Sequence, residues 1–378
     1  MASKTPVKVH DYVNVVITKG DDNDISEFTL QNVDVSVANG LRRTILSDIP
    51  CAVFKCFPYN EEQIVFYKNN TRINNEILKQ RLMCIPIHIK DTSIDISKYS
   101  VVLHKKNDTT QTVYVTTKDF KVIDNDTGNE ISQEERDNIF PPNKMTGDHI
   151  LFARLLPKYN DQVPPEEIHF KARLFYGTAA EDGAFNVASS CSYISSPNTI
   201  DQSTKWNEIE QKLKDEKMSA DEIAFEKENW MLHDAKRITL EKSYDFVIES
   251  VGVFSNFELV KKSCEILVDG FDKISTLAMN DELSFKNQID DKMFDVRLDG
   301  IDYTLGKVLE YFVHELYYKE ATTLNYVGFK KPHPHDDYSI LRVSFSDDSD
   351  THTSELKQII ISACSNAKSM YEQISTYF

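Results

Sequence analysis

The C-terminal stretch constrains the fold most. Between residues 354 and 378, Leu356, Ile360, Ala363, Ala367, Met370, Ile374 and Tyr377 recur at alternating steps of four and three. That spacing lays an apolar seam about 35 Å long down one helix. A lone helix cannot bury such a seam, so another helix of the chain has to cover it. Residues 255–276 supply a candidate. There Val260, Cys264, Leu267, Phe271 and Ile274 follow the same alternation, behind a Ser255/Glu258 pair with capping-box spacing. The fold must therefore bring two helices together that lie far apart in the chain.

Residues 36–51, SVANGLRRTILSDIPC, carry the densest signal. Val37, Leu41 and Ile45 form one apolar stripe, and Pro50 stops the helix by removing a backbone donor. Asp34 and Ser36 are alternative N-caps. Arg42 and Arg43 are adjacent and cannot both lie under the stripe; pattern alone makes them the solvated edge of a core helix. Farther on, MFDVRLDGIDYTLGKVLEYFVHEL (residues 293–316) reads as strand, turn and helix, with Leu305, Val308, Phe312 and Leu316 on one face. Set in register, ANGLRRTIL and LGKVLEYFV place Ala38, Leu41 and Ile45 over Leu305, Val308 and Phe312. The two segments thus read as distant copies of one strand–helix design.

Strand signals fill much of the rest. VHDYVNVVITK and ISEFTLQNV flank an acidic turn at residues 20–22 and predict a hairpin before the first helix. AVFKCFPY reads as a strand and NEILKQRLMCIPI as helix-like. From residue 91 the texture turns β-rich, with KYSVVLHKK, QTVYVTTKDFKVID and EEIHFKARLFYG as strands. A Ser132/Glu135 capping box precedes a short helix, and residues 206–230 form a charged helical patch. The core pattern resumes at Tyr244 in a strand ending near Gly252. Residues 279–291 are either a link or an edge strand, and two strands flank the proline-rich turn of KKPHPHDD.

With 378 residues, 40% hydrophobic and 27% charged, the composition is that of a soluble globular protein of two or three domains. No apolar run has membrane length and no signal-peptide pattern opens the chain, so the expected location is intracellular, with no membrane partner. The six cysteines show no ligand spacing, which predicts reduced thiols, no metal and no cofactor. The prolines of KPHPHDD hold His333 and His335 extended, against a metal site. No G-x-S-x-G, Walker or G-x-G-x-x-G motif occurs, and no carboxylate cluster suited to two metal ions; Ser346 opens SDDSD, read as a solvated acidic turn. A net charge of −17 disfavours dominant binding to nucleic acid.

ANGLRRTILSDIP resembles the alpha motif of the assembly subunits of multisubunit RNA polymerases: bacterial alpha, archaeal D and the third subunit of eukaryotic RNA polymerase II. NNEILKQRLMCIPI and F-x-I-E-S-x-G (residues 246–252) resemble later segments of the same chains. DYTLGKVLEYFV and NYVGFKKPHPHDD are similar to the archaeal L subunit and the eleventh subunit of RNA polymerase II. The relatives' G-x-x-x-x-H-A-K-W-S-P is not matched after Gly177, where Phe185 stands in the tryptophan's place, and Cys191 is the one cysteine of the insertion. Their zinc or iron–sulfur sites do not carry over.

The resemblance implies an α+β fold: two related sheet-plus-helix dimerisation units packed as an intramolecular heterodimer, with a β-rich insertion in the first. Residues 1–90 and 238–280 would form the alpha/D-like domain, 91–237 the insertion and 281–378 the L-like domain. Val260, Leu267, Phe271, Leu305, Val308, Phe312, Ile360, Ala367, Met370 and Ile374 would line the internal interface. Asn39, Leu41, Arg42, Arg43 and Arg81 would face a large subunit. The implied role is non-catalytic: nucleating assembly of the largest and second-largest subunits, with small zinc-binding subunits alongside and DNA reached only through the complex. A single chain holding both partners resembles the fused subunit of large cytoplasmic DNA viruses, which implies the virion and host cytoplasm, with the nucleus as alternative. The competing reading is a free-standing protein-interaction or nucleic-acid-binding module.

Overall fold

In a computed structural model, the described residues are 13–21, 24–56, 64–158, 160, 162–287, 292–346 and 352–378. The start of the first expected strand, Asp22 of the acidic turn, the end of AVFKCFPY, the last residues of the 279–291 stretch and most of SDDSD lie outside them.

The chain opens with the expected hairpin, β1 (Asn14–Lys19) and β2 (Ile25–Gln31), paired antiparallel with Val15 opposite Leu30. Helix α1 spans Val35–Ser47 and ends where Pro50 and the residue before it cannot continue. Strand β3 is only Cys51–Val53, shorter than AVFKCFPY suggested. Strand β4 (Ile64–Asn69) and helix α2 (Asn75–Met83) follow. Strand β5 is Tyr99–Lys106. QTVYVTTKDFKVID splits into β6 (Val113–Thr116) and β7 (Lys121–Asp124), because the Asp119 carboxylate accepts the Thr116 N–H at 3.0 Å and turns the chain. Helix α3 (Gln133–Ile139) has its Ser132/Glu135 capping box, and β8 is Leu151–Leu155. EEIHFKARLFYG also divides, into β9 (Glu167–Arg173) and β10 (Phe175–Gly177).

Strand β11 (Ala188–Pro197) leads to a helical hairpin, α4 (Thr199–Asp215) and α5 (Ala220–Leu232), longer than the charged patch read from sequence. Strand β12 is Thr239–Ser250 and α6 is Asn256–Met279. The polar stretch contributes an edge strand, β13 (Ser284–Asn287). Then come β14 (Met293–Asp299), α7 (Tyr303–Val313), β15 (Leu324–Lys330), β16 (Tyr338–Phe345) and α8 (His352–Ser375). No helix among the described residues is long and apolar enough to cross a membrane.

Two compact units result: residues 1–44, 190–249 and 260–378, and residues 45–189 with 250–259. Residues 190–237, assigned from sequence to the insertion, thus fall in the first unit, and 45–90 in the second. The 281–378 segment shares the first unit with 1–44 and 260–280 rather than forming one of its own.

The first unit contains two four-stranded sheets, in the orders β1-β2-β12-β11 and β13-β14-β16-β15. In the former, Phe28 lies opposite Phe246 with the rings stacked at 5.1 Å. The apolar stripes of four helices meet in the same unit. Val37 and Leu41 of α1 are fully buried. So are Val308 and Phe312 of α7. Val260, Leu267 and Phe271 on α6 are buried, as are Leu356, Ile360, Ala363, Ala367, Met370 and Ile374 on α8. Tyr377 leaves the seam, 43% exposed, and donates its hydroxyl to the Val13 carbonyl at 2.8 Å. Leu305 is half-buried and rests on Gly270 of α6, where a Cβ would collide with it.

Tyr371 of α8, one residue beyond the seam's Met370, holds these helices together. It is wholly buried, donates its hydroxyl to the Val37 carbonyl of α1 at 3.2 Å and stacks on Phe271 of α6 at 6.2 Å. Gly40 makes room for it, since a Cβ there would meet the tyrosine hydroxyl and then Val308 of α7. A Lys368–Asp272 ion pair joins α8 to α6 at the rim.

The second unit is built on the sheet β4-β9-β5-β7, with the pairs β6-β8 and β10-β3. Its core is aromatic: Phe120, Phe152 and Phe170 meet edge-on at 5.6–5.8 Å. Phe185 is 3% exposed and seats its ring against Gly177, where an added Cβ would collide with that ring and with Val53. Across the chain the cysteines are free, and all but Cys84 are buried. Burial pushes the Cys51 thiol up to about 11, and those of Cys56, Cys191 and Cys364 to about 12. These thiols stay protonated and unreactive at neutral pH.

The packing at Tyr371 sets a graded expectation. Tyr371→Ala should cost about 3–5 kcal/mol, as aromatic truncations in filled cores do. Tyr371→Phe should cost about 1 kcal/mol, the net value of one hydrogen bond. Urea unfolding of both variants checks this; equal losses would mean that the hydroxyl, not the ring, carries the contact.

Candidate functional site

Helix α1 is fixed at its start by Asp34, whose carboxylate accepts the Ser36 N–H at 2.8 Å, so Asp34 rather than Ser36 is the cap. With Val37, Leu41 and Ile45 inward, Asn39, Arg42 and Arg43 fall on the outer side. Leu41 is 0% exposed, so its expected place on a partner-facing surface fails: it belongs to the buried stripe. Asn39 and Arg42 are half-buried, and both Nε and one terminal nitrogen of Arg42 reach the Asn39 side-chain oxygen at a long 3.4 Å. That weak tether leaves most of the guanidinium's donors uncommitted to it.

Arg43 is tied within the chain. Its Nε donates to Thr304 Oγ1 at 2.9 Å and a terminal nitrogen to Asp302 Oδ2 at 3.0 Å. Asp302 is also the N-cap of α7, accepting the Thr304 N–H at 2.8 Å. Helix α1 and the start of α7 are therefore joined at this point by a cap shared with a cation. Arg43 was read from sequence as a partner contact, and a periodicity argument has no means of finding a bond across 259 residues.

Between α1 and α7 lies a cleft of about 520 Å³. Asp34, Asn39, Arg42 and Arg43 line one wall, and Tyr303, Lys307, Glu310, Tyr311 and His314 the other. Lys307 pairs with Glu310 across one turn. His314 begins a π-helical segment, His314–Glu320, that continues α7. Wide turns of this kind concentrate at functional positions. No glycine or proline in HELYYKE signals the change, so sequence reasoning missed it along with the α7 wall of the cleft.

Arg81 sits on α2, in the second unit, exposed and donating to the Phe152 carbonyl at 2.9 Å. The residues read as one partner-facing set thus belong to two units. Among the described residues no group of three or more His, Cys, Asp or Glu side chains is placed to hold a metal ion. His333 and His335 lie in the turn between β15 and β16, where the His335 N–H is donated to His333 Nδ1 at 3.1 Å.

The shared cap generates a test. Asp302→Ala should lower stability by about 1 kcal/mol, mostly as a lost cap, because an exposed ion pair adds only about 0–1 kcal/mol. Asp302→Asn, which still caps, should recover most of that in thermal or urea unfolding. If asparagine is as damaging as alanine, the charge on Arg43 matters more than the cap.

Residues 27–271 match the family model described as the RNA polymerase Rpb3/Rpb11 dimerisation domain. Among curated proteins, the DNA-directed RNA polymerase subunit Rpo3 of Pyrococcus furiosus is 32% identical over 85 residues, 21% of this chain and 30% of that protein. Rpo3 of Pyrococcus horikoshii is 30% identical over 96 residues, 24% of this chain and 34% of that protein. The human DNA-directed RNA polymerases I and III subunit RPAC1 is 34% identical over 68 residues, 18% of this chain and 17% of that protein. The matched stretch spans between 17% and 34% of these relatives' length.

Proposed function

The chain belongs to the RNA polymerase Rpb3/Rpb11 dimerisation-domain family, and from that membership we propose that it is a non-catalytic assembly subunit of a DNA-directed RNA polymerase. In this reading it carries both partners of a pairing that other members divide between two chains, an arrangement like archaeal D joined to L. The observation that carries the proposal is the helical core of the first unit, where α8 and α7 from the C-terminal part close over α1 and α6 through Tyr371, Gly40 and Leu305. An assembly subunit needs a rigid face to present, and this core holds the outer side of α1 in place.

The second-largest polymerase subunit is the proposed partner of that face, through Arg42, Asn39 and the cleft beside them. A guanidinium fork suits carboxylates or carbonyls there. The largest subunit and small zinc-binding subunits complete the proposed assembly, and DNA is reached only through it. The proposed setting is a large DNA virus, in the virion and host cytoplasm.

Two measurements test this. Arg42→Glu should abolish co-purification of polymerase subunits with the native protein while circular dichroism stays unchanged, because a reversed charge at a desolvated interface costs several kcal/mol. Unimpaired assembly would remove Arg42 from the interface. Purification without any polymerase subunit would instead favour the free-standing module. Second, residues 1–280 and 281–378, co-expressed as separate chains, should purify as a one-to-one complex through a tag on either piece. The link only raises the effective concentration of one half near the other. Two soluble, folded, non-associating pieces would contradict the fused pairing.

A further inference from the structure

The net charge of −17 conceals a basic, ring-bearing face on the second unit. Along β9, Ile168, Phe170 and Ala172 are fully buried while His169, Lys171 and Arg173 alternate onto the opposite side of the sheet. His169 lies opposite His104 of β5, with the rings stacked at 4.5 Å, and Tyr67 of β4 packs on His169 at 4.8 Å while remaining 59% exposed. Lys171 lies opposite Val65 and Val102, and Val102 opposite Lys121 of β7. Glu167 shares this face and is engaged by Lys68 and His104, and Glu130 pairs with Lys121. Lys171 and Arg173 take part in no ion pair among the described residues. They stand two residues apart, about 6.6 Å along the strand.

We propose that the outer face of β4-β9-β5-β7 binds a single-stranded nucleic acid, bases stacking on Tyr67 and the His169–His104 pair and phosphates meeting Lys171 and Arg173. A sheet face with accessible rings and two cations outside any ion pair combines the two elements by which single strands are held, stacking and backbone neutralisation. An acidic protein segment would use the cations but not the rings. Beside the cations a hollow of about 470 Å³ is bordered by Ser97 and Asn125. Ser97 Oγ donates to Asp95 at 2.6 Å, and Asn125 Nδ2 donates to the Ser97 carbonyl at 3.0 Å while its Oδ1 accepts from Ser100, so this rim reads no 2′-hydroxyl and the face takes either sugar. The proposal stands independently of polymerase membership.

The test is fluorescence anisotropy of the full chain with a short labelled oligouridylate at low salt, where phosphate contacts are strongest. Binding should weaken as salt rises. It should fall about tenfold or more with Lys171→Gln plus Arg173→Gln, and comparably with Tyr67→Ala, the scale of losing one stacked base. No binding, or indifference to both variants, would overturn the proposal. Competition by polyglutamate equal to that by oligouridylate, with Tyr67→Ala silent, would reassign the face to an acidic protein. Circular dichroism of each variant separates lost contacts from lost folding.

Discussion

The close approach of α8 to α1 governs the first unit. Tyr371 reaches the Val37 carbonyl only because residue 40 has no Cβ, and the same ring lies on Phe271. A buried tyrosine hydroxyl without a partner would cost more than the bond itself contributes, so the helices are held to one arrangement as well as packed. Gly270 and Leu305 repeat the device between α6 and α7, a side chain of one helix seated where the other lacks a Cβ. A purely greasy seam tolerates sliding. One that must satisfy a hydroxyl at one carbonyl does not.

The helices were legible in the sequence because their apolar periods are long and uninterrupted. Leu356 to Ile374 and Val260 to Ile274 emerge as buried stripes, and the Ser255/Glu258 box closes as its spacing suggests, the Ser255 N–H reaching the Glu258 carboxylate at 2.7 Å. Where reading failed, the controlling interaction was non-local or off-period. Tyr371 is buried one step away from the seam residue Met370, so a heptad count passes over it. Arg43 looks free along its helix and is bound by a residue on α7. Leu41 was assigned to a partner on resemblance, against its own place in the apolar stripe. The β-rich part was harder, since strands such as Glu167–Arg173 and Phe175–Gly177 run together in sequence and separate only through different pairing partners.

Net charge misleads in a related way. An excess of carboxylates over the whole chain weakens any long-range attraction to phosphate, yet screening confines that field to about 10 Å at ordinary ionic strength. Within that distance the local arrangement decides, and on β9 the alternation of a strand sorts cations to one side and apolar residues to the other. The composition that excluded a dominant nucleic-acid role therefore said nothing about a single sheet face.

In the proposed reading, joining two strand–helix units in one chain changes what their interface must achieve. Partners encoded separately need enough affinity to meet at cellular concentration, and association then costs translational and rotational freedom. Within one chain that cost is largely removed, so the contact can be selected for geometry rather than strength. The first unit fits that expectation: the bond from Arg43 to the α7 cap is half exposed and contributes little energy, but it fixes how α1 meets the start of α7. The result is a cleft whose two walls come from opposite ends of the sequence, with Arg42 at its edge. A surface of that kind exists only after both walls have folded together, which makes completed folding a precondition for any partner that reads it.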